Sequence, residues 1–236
     1  MGFADETPDD IRRAFQCGWS ERPQTAADIG GRVQKLARAL GAIDPAFARI
    51  RPDPGMRRFR AGDRGPILDM PLPELAELID RRGRVDPPRY PAPVSPIGYD
   101  LLYRNDLRGL DPSFLSVSIR AGEYGPHWVE NRVRVRPQAA HPLWWDLERG
   151  IEVLDAMVQI WEPEWAGAYT SILNPASPGE SITSRVRTWL AWTLKPLQPR
   201  PNPPFGRPYP HPFPLDHAAP PAEVRPWHGG ELRIWP

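Results

Sequence analysis

The chain has 236 residues, with 30 basic and 29 acidic side chains and a formal net charge of +1. That balance argues against a dedicated nucleic-acid binder, which carries a strong basic excess, although it leaves room for a local patch. Cys17 is the only cysteine, so no internal disulfide can form and a thiolate zinc site has no second ligand.

Ten tryptophans and 40% hydrophobic residues predict a real core, and 33 prolines predict irregular connections and edge strands. Among the cations only Lys35 and Lys195 are lysine. No run of about 18 apolar residues exists, so no membrane span is expected. The segment Met1–Cys17 is acidic at first and has no apolar centre, so it does not read as a signal peptide. The expectation is a soluble protein of the reducing cytoplasm.

In chain order, Ile11 to Cys17 is a short strand that Gly18 and Trp19 end. Thr25 is an N-cap with Asp28 three residues on, a variant capping box. Ile29, Val33, Leu36 and Leu40 then mark the buried face of a helix ending at Gly41. Ile43 to Arg49 is a short further turn, with Asp44 as cap and Pro45 at its first position. Arg51 to Asp69 is polar and rich in Gly and Pro, a loop. Leu72 to Arg82 is a second amphipathic helix on Leu75, Leu78 and Ile79, stopped by Gly83. Val85 to Gly98, with five prolines, is extended coil.

Tyr99 to Arg104 opens a strand region. Leu115, Val117 and Ile119 alternate with Ser116, Ser118 and Arg120, a period of two. Val129 to Arg136 alternates again, with Val133 and Val135 facing one way and Arg132, Arg134 and Arg136 the other. The pair reads as a hairpin with one face on the core.

The stretch His141–Thr170 carries the clearest helix-then-strand signal. Pro142 suits a first helical position. Trp144, Leu147, Ile151, Leu154, Val158 and Trp161 recur at three- and four-residue steps, one side of a helix. Pro163 disfavours helix at Glu162, so the helix stops near Trp161. Trp165 to Tyr169 follow as a strand, and Val186 to Leu194 is another. Pro196 to Pro214 reads as a proline-rich loop or polyproline excursion. Glu223 to Trp227 and Glu231 to Trp235 form a closing hairpin around His228-Gly229-Gly230. The expected architecture is α+β: a mostly antiparallel sheet with two or three helices packed on one face. It forms one domain over residues 1–236, with a proline-rich insertion at about 196–214.

The sequence holds no GxSxG, GxxxxGK[ST], GxGxxG or HExxH pattern. His211, Asp216 and His217 lie close together in the proline-rich loop, and a metal-dependent hydrolase built on them is the alternative reading. Solvated loop histidines are the plainer one. Glu162 and Glu164 flank Pro163 between two tryptophans. An acid/base pair is conceivable, but a helix terminus with solvated carboxylates anchored by buried Trp161 and Trp165 is simpler. Cys17 reads as a small buried thiol. The Arg132, Arg134, Arg136 stripe could meet phosphates or an acidic protein surface, against the plainer reading of a solvated sheet face.

Four blocks resemble the Immunity protein 52 family of bacterial antitoxin-type proteins. They are Trp19–Phe47 (WSERPQTAADIGGRVQKLARALGAIDPAF), SIRAGEYG within Leu115–Gly125, Trp161-Glu162-Pro163-Glu164-Trp165, and Trp189–Leu194 with the late Gly229-Gly230-Glu231-Leu232 strand. They occur in the family's order and span most of the chain from Trp19. The resemblance implies a protein that neutralises a cognate toxin by direct binding. The partner it implies is a nuclease-type effector delivered by a contact-dependent route such as type VI secretion. It implies no catalytic residue, no cofactor and no metal. The residues offered as partner contacts, from the outward side of the predicted hairpin, are Trp128, Glu130, Arg132 and Arg134.

Overall fold

The computed structural model describes residues 11–53, 65–85, 94–105, 107, 111–124, 131–138, 140–174, 183–194 and 220–235. The expected proline-rich excursion at 196–214 and the turn before Asn131 lie outside them. The fold is α+β, with three helices and one antiparallel sheet of nine strands among the described residues.

The strands are β1 (Ile11–Trp19), β2 (Arg51–Pro52), β3 (Tyr99–Arg104), β4 (Leu115–Ala121), β5 (Asn131–Pro137), β6 (Trp165–Asn174), β7 (Thr183–Thr193), β8 (Glu223–Trp227) and β9 (Gly230–Ile234). Their order across the sheet is β2-β3-β4-β5-β1-β6-β7-β9-β8. The first strand is therefore central, with β5 on one side and β6 on the other. Gly18 and Trp19 do not end it, as the sequence suggested. They are paired on β1, Gly18 opposite Arg132 and Trp165, Trp19 opposite Asn131.

The period of two runs straight across the sheet. One row reads Leu101, Ile119, Val133, Cys17, Ala166, Trp192, Leu232, and a second reads Tyr103, Val117, Val135, Phe15, Ala168, Leu190, Ile234. All fourteen side chains are buried and belong to one core cluster with the helices. A strand's side chains alternate between faces, so every neighbouring row points to the opposite side, away from the described helices.

Helix α1 (Ala26–Ile43) starts at the expected capping box: the Asp28 amide donates to Thr25 Oγ1 at 3.1 Å and the Thr25 amide to Asp28 Oδ2 at 3.0 Å. It runs past Gly41, the expected stop. A Cβ on Gly41 would lie 2.7 Å from Ala48 Cβ, so this glycine serves the close approach of the 3-10 turn Pro45–Arg49. Helix α2 (Leu72–Gly83) buries Leu75, Leu78 and Ile79, with Leu75 and Ile79 set against Gly30 of α1. The Gln34 amide of α1 closes the turn before α2 by donating to the carbonyls of Ile67 at 3.0 Å and Met70 at 2.7 Å.

Helix α3 (Leu147–Trp161) begins later than the apolar spacing suggests. Pro142–Trp144 is a separate 3-10 turn, and Asp146 caps α3 by accepting from the Arg149 amide at 3.1 Å. Trp144 still reaches the core, stacked on Phe15 with centroids 4.8 Å apart, and its indole N–H donates to Gln138 O at 2.8 Å. Leu147, expected on the buried face, is 39% exposed because the break rotates it away from the sheet. Trp161 stacks on Trp19 at 5.4 Å and docks the end of α3 onto β1.

Both outermost strands carry a proline. Asp53 donates to Leu102 O, so Pro52 one residue earlier turns its nitrogen away from β3. At the other edge His228 (φ 47°) and Gly229 (φ 71°) form the two-residue turn between β8 and β9. Two positive φ values in succession are the geometry that matches the twist of a hairpin. Trp227 and Gly230 flank that turn as the bonded pair, so Pro226, opposite Glu231, points its nitrogen outward.

Candidate functional site

The face of the sheet away from the described helices gathers the arginines. One row reads Asp100, Arg120, Arg132, Gly18, Trp165, and the next reads Leu102, Ser118, Arg134, Gln16, Gly167, with Arg104, Ser116 and Arg136 beside them. Of the sequence candidates, Arg132 and Arg134 thus stand on one face of β5, half-buried. Trp128 and Glu130 lie outside the described residues.

The arginines are held by neighbours. Arg134 Nε donates to Gln16 Oε1 at 2.7 Å, and Tyr169 Oη donates to the same oxygen at 3.2 Å. Gln16 is only 5% exposed although it faces away from the described helices. Arg104 lies 3.6 Å from Asp53, and Arg120 lies 3.9 Å from the buried Glu123 carboxylate. Six arginines (Arg51, Arg104, Arg120, Arg132, Arg134, Arg136) thus stand against Asp53, Asp100 and Glu123, an excess of three positive charges among the described residues here. The whole chain carries only +1.

Trp165 covers the next part of this face. Its ring lies where a Gly18 Cβ would sit, 2.4 Å away, so only glycine fits beneath it. Trp161 and Trp165, four residues apart, therefore bury on opposite sides of the sheet.

The carboxylates between those tryptophans are structural, but they are engaged rather than simply solvated. Glu162 adopts a left-handed conformation (φ 47°) that ends α3. Arg22 donates to the carbonyls of Trp161 and Glu162, both at 2.8 Å, and Arg32 donates to Ile160 O and, at 3.0 Å, to Glu162 Oε2. These carbonyls are the last of the helix, which have no partner within it. The hydrogen bond from Arg32 holds the Glu162 carboxyl below its ordinary pKa, against the opposing effect of desolvation. Glu164 accepts from the Ser20 amide at 3.1 Å and from the Ser20 hydroxyl. None of this is visible in local sequence, since Arg22 and Arg32 lie some 130 to 140 residues from their acceptors.

Two histidines acquire carboxylate partners that the sequence did not suggest. His141, 2% exposed, faces Asp44 Oδ2 through Nε2 at 3.0 Å, while its Nδ1 accepts the Leu143 amide at 3.1 Å. Both ring nitrogens are occupied, which makes this a clamp between the 3-10 turns rather than a base open to substrate. His228 Nε2 meets Asp155 Oδ1 at 2.6 Å and ties the β8–β9 turn to α3. Cys17 is fully buried in the central row, as expected of a structural thiol. Among the described residues no cluster of three His, Cys, Asp or Glu could hold a metal ion. His211, Asp216 and His217 lie outside them. No described helix is long and apolar enough to cross a membrane.

Among the described tryptophans, Trp145 is a large exposed one. It is 74% exposed, with the Arg13 guanidinium 4.3 Å from its ring centroid. Compared with known proteins, the chain matches no family model and no curated protein.

Proposed function

We propose that this chain is an immunity protein that binds a cognate protein toxin and neutralises it stoichiometrically. The toxin is a nuclease-type effector of a contact-dependent, type VI-like secretion system, and binding covers its active site or substrate groove. The observation that carries the reading is the arginine-lined face of β3, β4 and β5, a preformed surface left uncapped by any described helix. The four blocks resembling the Immunity protein 52 family supply the class of partner.

Size bounds the contact. Three strands about 4.8 Å apart and about seven residues long present roughly 340 Å² of flat area. A standard interface takes about 800 Å² from each partner. The arginine face alone therefore supplies less than half, and the contact extends onto neighbouring surface. Co-expression with the toxin encoded by the adjacent gene tests the reading: the expected result is rescued growth and co-purification at one-to-one stoichiometry. Undiminished killing with no co-purification defeats it.

A further inference from the structure

We propose that the exposed start of α3, with Trp145 at its tip, is a docking surface for a basic segment of another protein. It lies on the helical side of the sheet, across from the arginines, and does not rest on the toxin-binding reading.

Trp145 is held out in solvent by its surroundings. On one side Trp144 is stacked on Phe15 in the core, and on the other Asp146 caps α3. The Trp145 amide donates to Pro142 O at 2.9 Å. The Arg13 guanidinium supports the ring from 4.3 Å, yet 74% of the residue stays exposed. Every other described tryptophan is buried or half-buried. Leu147, two residues on, is exposed as well. A large ring fixed in this way has little freedom left to lose when a partner arrives, and its apolar area is still covered by water. Tryptophans so placed are typical anchors of protein interfaces.

Charge names the partner. Glu148 and Glu152 stand one turn apart on the exposed side of α3. The other carboxylates on or beside this helix have partners: Asp146 has Arg149 at 3.6 Å, Asp155 has the His228 imidazole at 2.6 Å, and Glu162 has Arg32 at 3.0 Å. Glu148 and Glu152 have no such partner among the described residues. Like charges at that spacing destabilise a helix. The imbalance is local, because the whole chain carries +1. A cation laid along this ridge relieves it.

The same two carboxylates turn away other occupants that an exposed tryptophan suits. Nucleic-acid bases stack on aromatic rings, but their phosphates need a basic field. Membrane interfaces also take tryptophan, but anionic lipid repels Glu148 and Glu152. A cationic protein segment with one apolar side chain satisfies both halves of the surface. The apolar group packs on the Trp145 ring while lysine or arginine reaches the ridge.

The test titrates the full chain with a labelled octalysine peptide and with the same peptide carrying a central leucine, at low and moderate salt. The leucine peptide is expected to bind at least about fivefold more tightly. W145A is expected to remove that preference and leave the weaker, salt-dependent attraction. E148Q/E152Q is expected to weaken both peptides severalfold and to flatten the salt dependence. E74Q/E77Q makes the same charge change at exposed positions of α2, and as the control it leaves binding unchanged. Chemical unfolding separates contact from fold. W145A is expected to keep a midpoint close to wild type, whereas W144A, which removes a ring stacked in the core, loses far more. Equal affinity for the two peptides, wild-type affinity in W145A, equal losses in E74Q/E77Q and E148Q/E152Q, or a W145A midpoint as low as that of W144A would overturn the proposal. Tighter binding of an oligonucleotide or of anionic vesicles, run alongside, would do the same.

Discussion

Two groups of arginines in this molecule behave in opposite ways. Arg22 and Arg32 aim inward, at the last carbonyls of α3 and at Glu162, and tie the end of that helix to the loop after β1 and to α1. Arg120, Arg132, Arg134 and Arg136 stand on the side of the sheet away from the described helices and outside the apolar core cluster. The first group completes the backbone hydrogen bonding of a helix. The second group concentrates charge on a surface, with one pair of like charges opposed across two strands. The residue type is the same; what differs is what it meets, main-chain carbonyls at a helix end in one group and side chains of the sheet face, Gln16 and Glu123, in the other.

The sharpest test of the inward group lies at the tryptophan it positions. Trp161→Ala removes the ring stacked on Trp19 and should cost about 3–5 kcal/mol, read as the midpoint of chemical unfolding. Gly18→Val forces a side chain into the Trp165 ring and should cost about 1–3 kcal/mol or more in the same assay. Arg22→Ala leaves two helix-terminal carbonyls without their donor and should cost about 1–3 kcal/mol. A loss no larger than that of a surface substitution would erase the distinction between the two groups.

A smaller effect depends on pH. The native carboxyl of Glu162 sits below its ordinary value, so its stabilisation is fully present above the unfolded value of about 4.3. It is lost as pH falls through the lower native value. Glu162→Gln should therefore be less stable than wild type near neutrality, and the two should converge in acid. A gap that persists unchanged down to pH 2 would show that the charge is not what matters. The smallest effect belongs to the outward group. Arg132→Glu should shift stability by less than about 0.5 kcal/mol, if anything upward, because it replaces a like pair with an opposite one. Toxin neutralisation by the same variant should fall, and a clear loss of fold stability instead would return Arg132 to the structural group.

Local signals were legible in the sequence. The Thr25–Asp28 capping box, the apolar face of α2 and the alternation on β4 and β5 each depend on residues within a few positions of one another. The start of α3 misled because Trp144 and Leu147 keep helical spacing across a break, and Asp146 is itself a good cap. Gly41 misled because glycine serves close packing as readily as helix termination. The ties from Arg22, Arg32, His141 and His228 were not legible, since each joins segments 70 or more residues apart. The arginine stripe was visible as a pattern. Its fixing by Gln16 and Tyr169 required the order of strands, which places β1 between β5 and β6.

Pro52 and Pro226 have a wider consequence for how the molecule meets others. An extended segment from another chain could join the sheet only by exchanging main-chain donors and acceptors with an outer strand, and at each border a pyrrolidine ring stands where a donor would be needed. Each ring therefore disfavours fibrillar stacking of copies, or capture of a ligand as an added strand, at its own position. There, recognition falls to side chains.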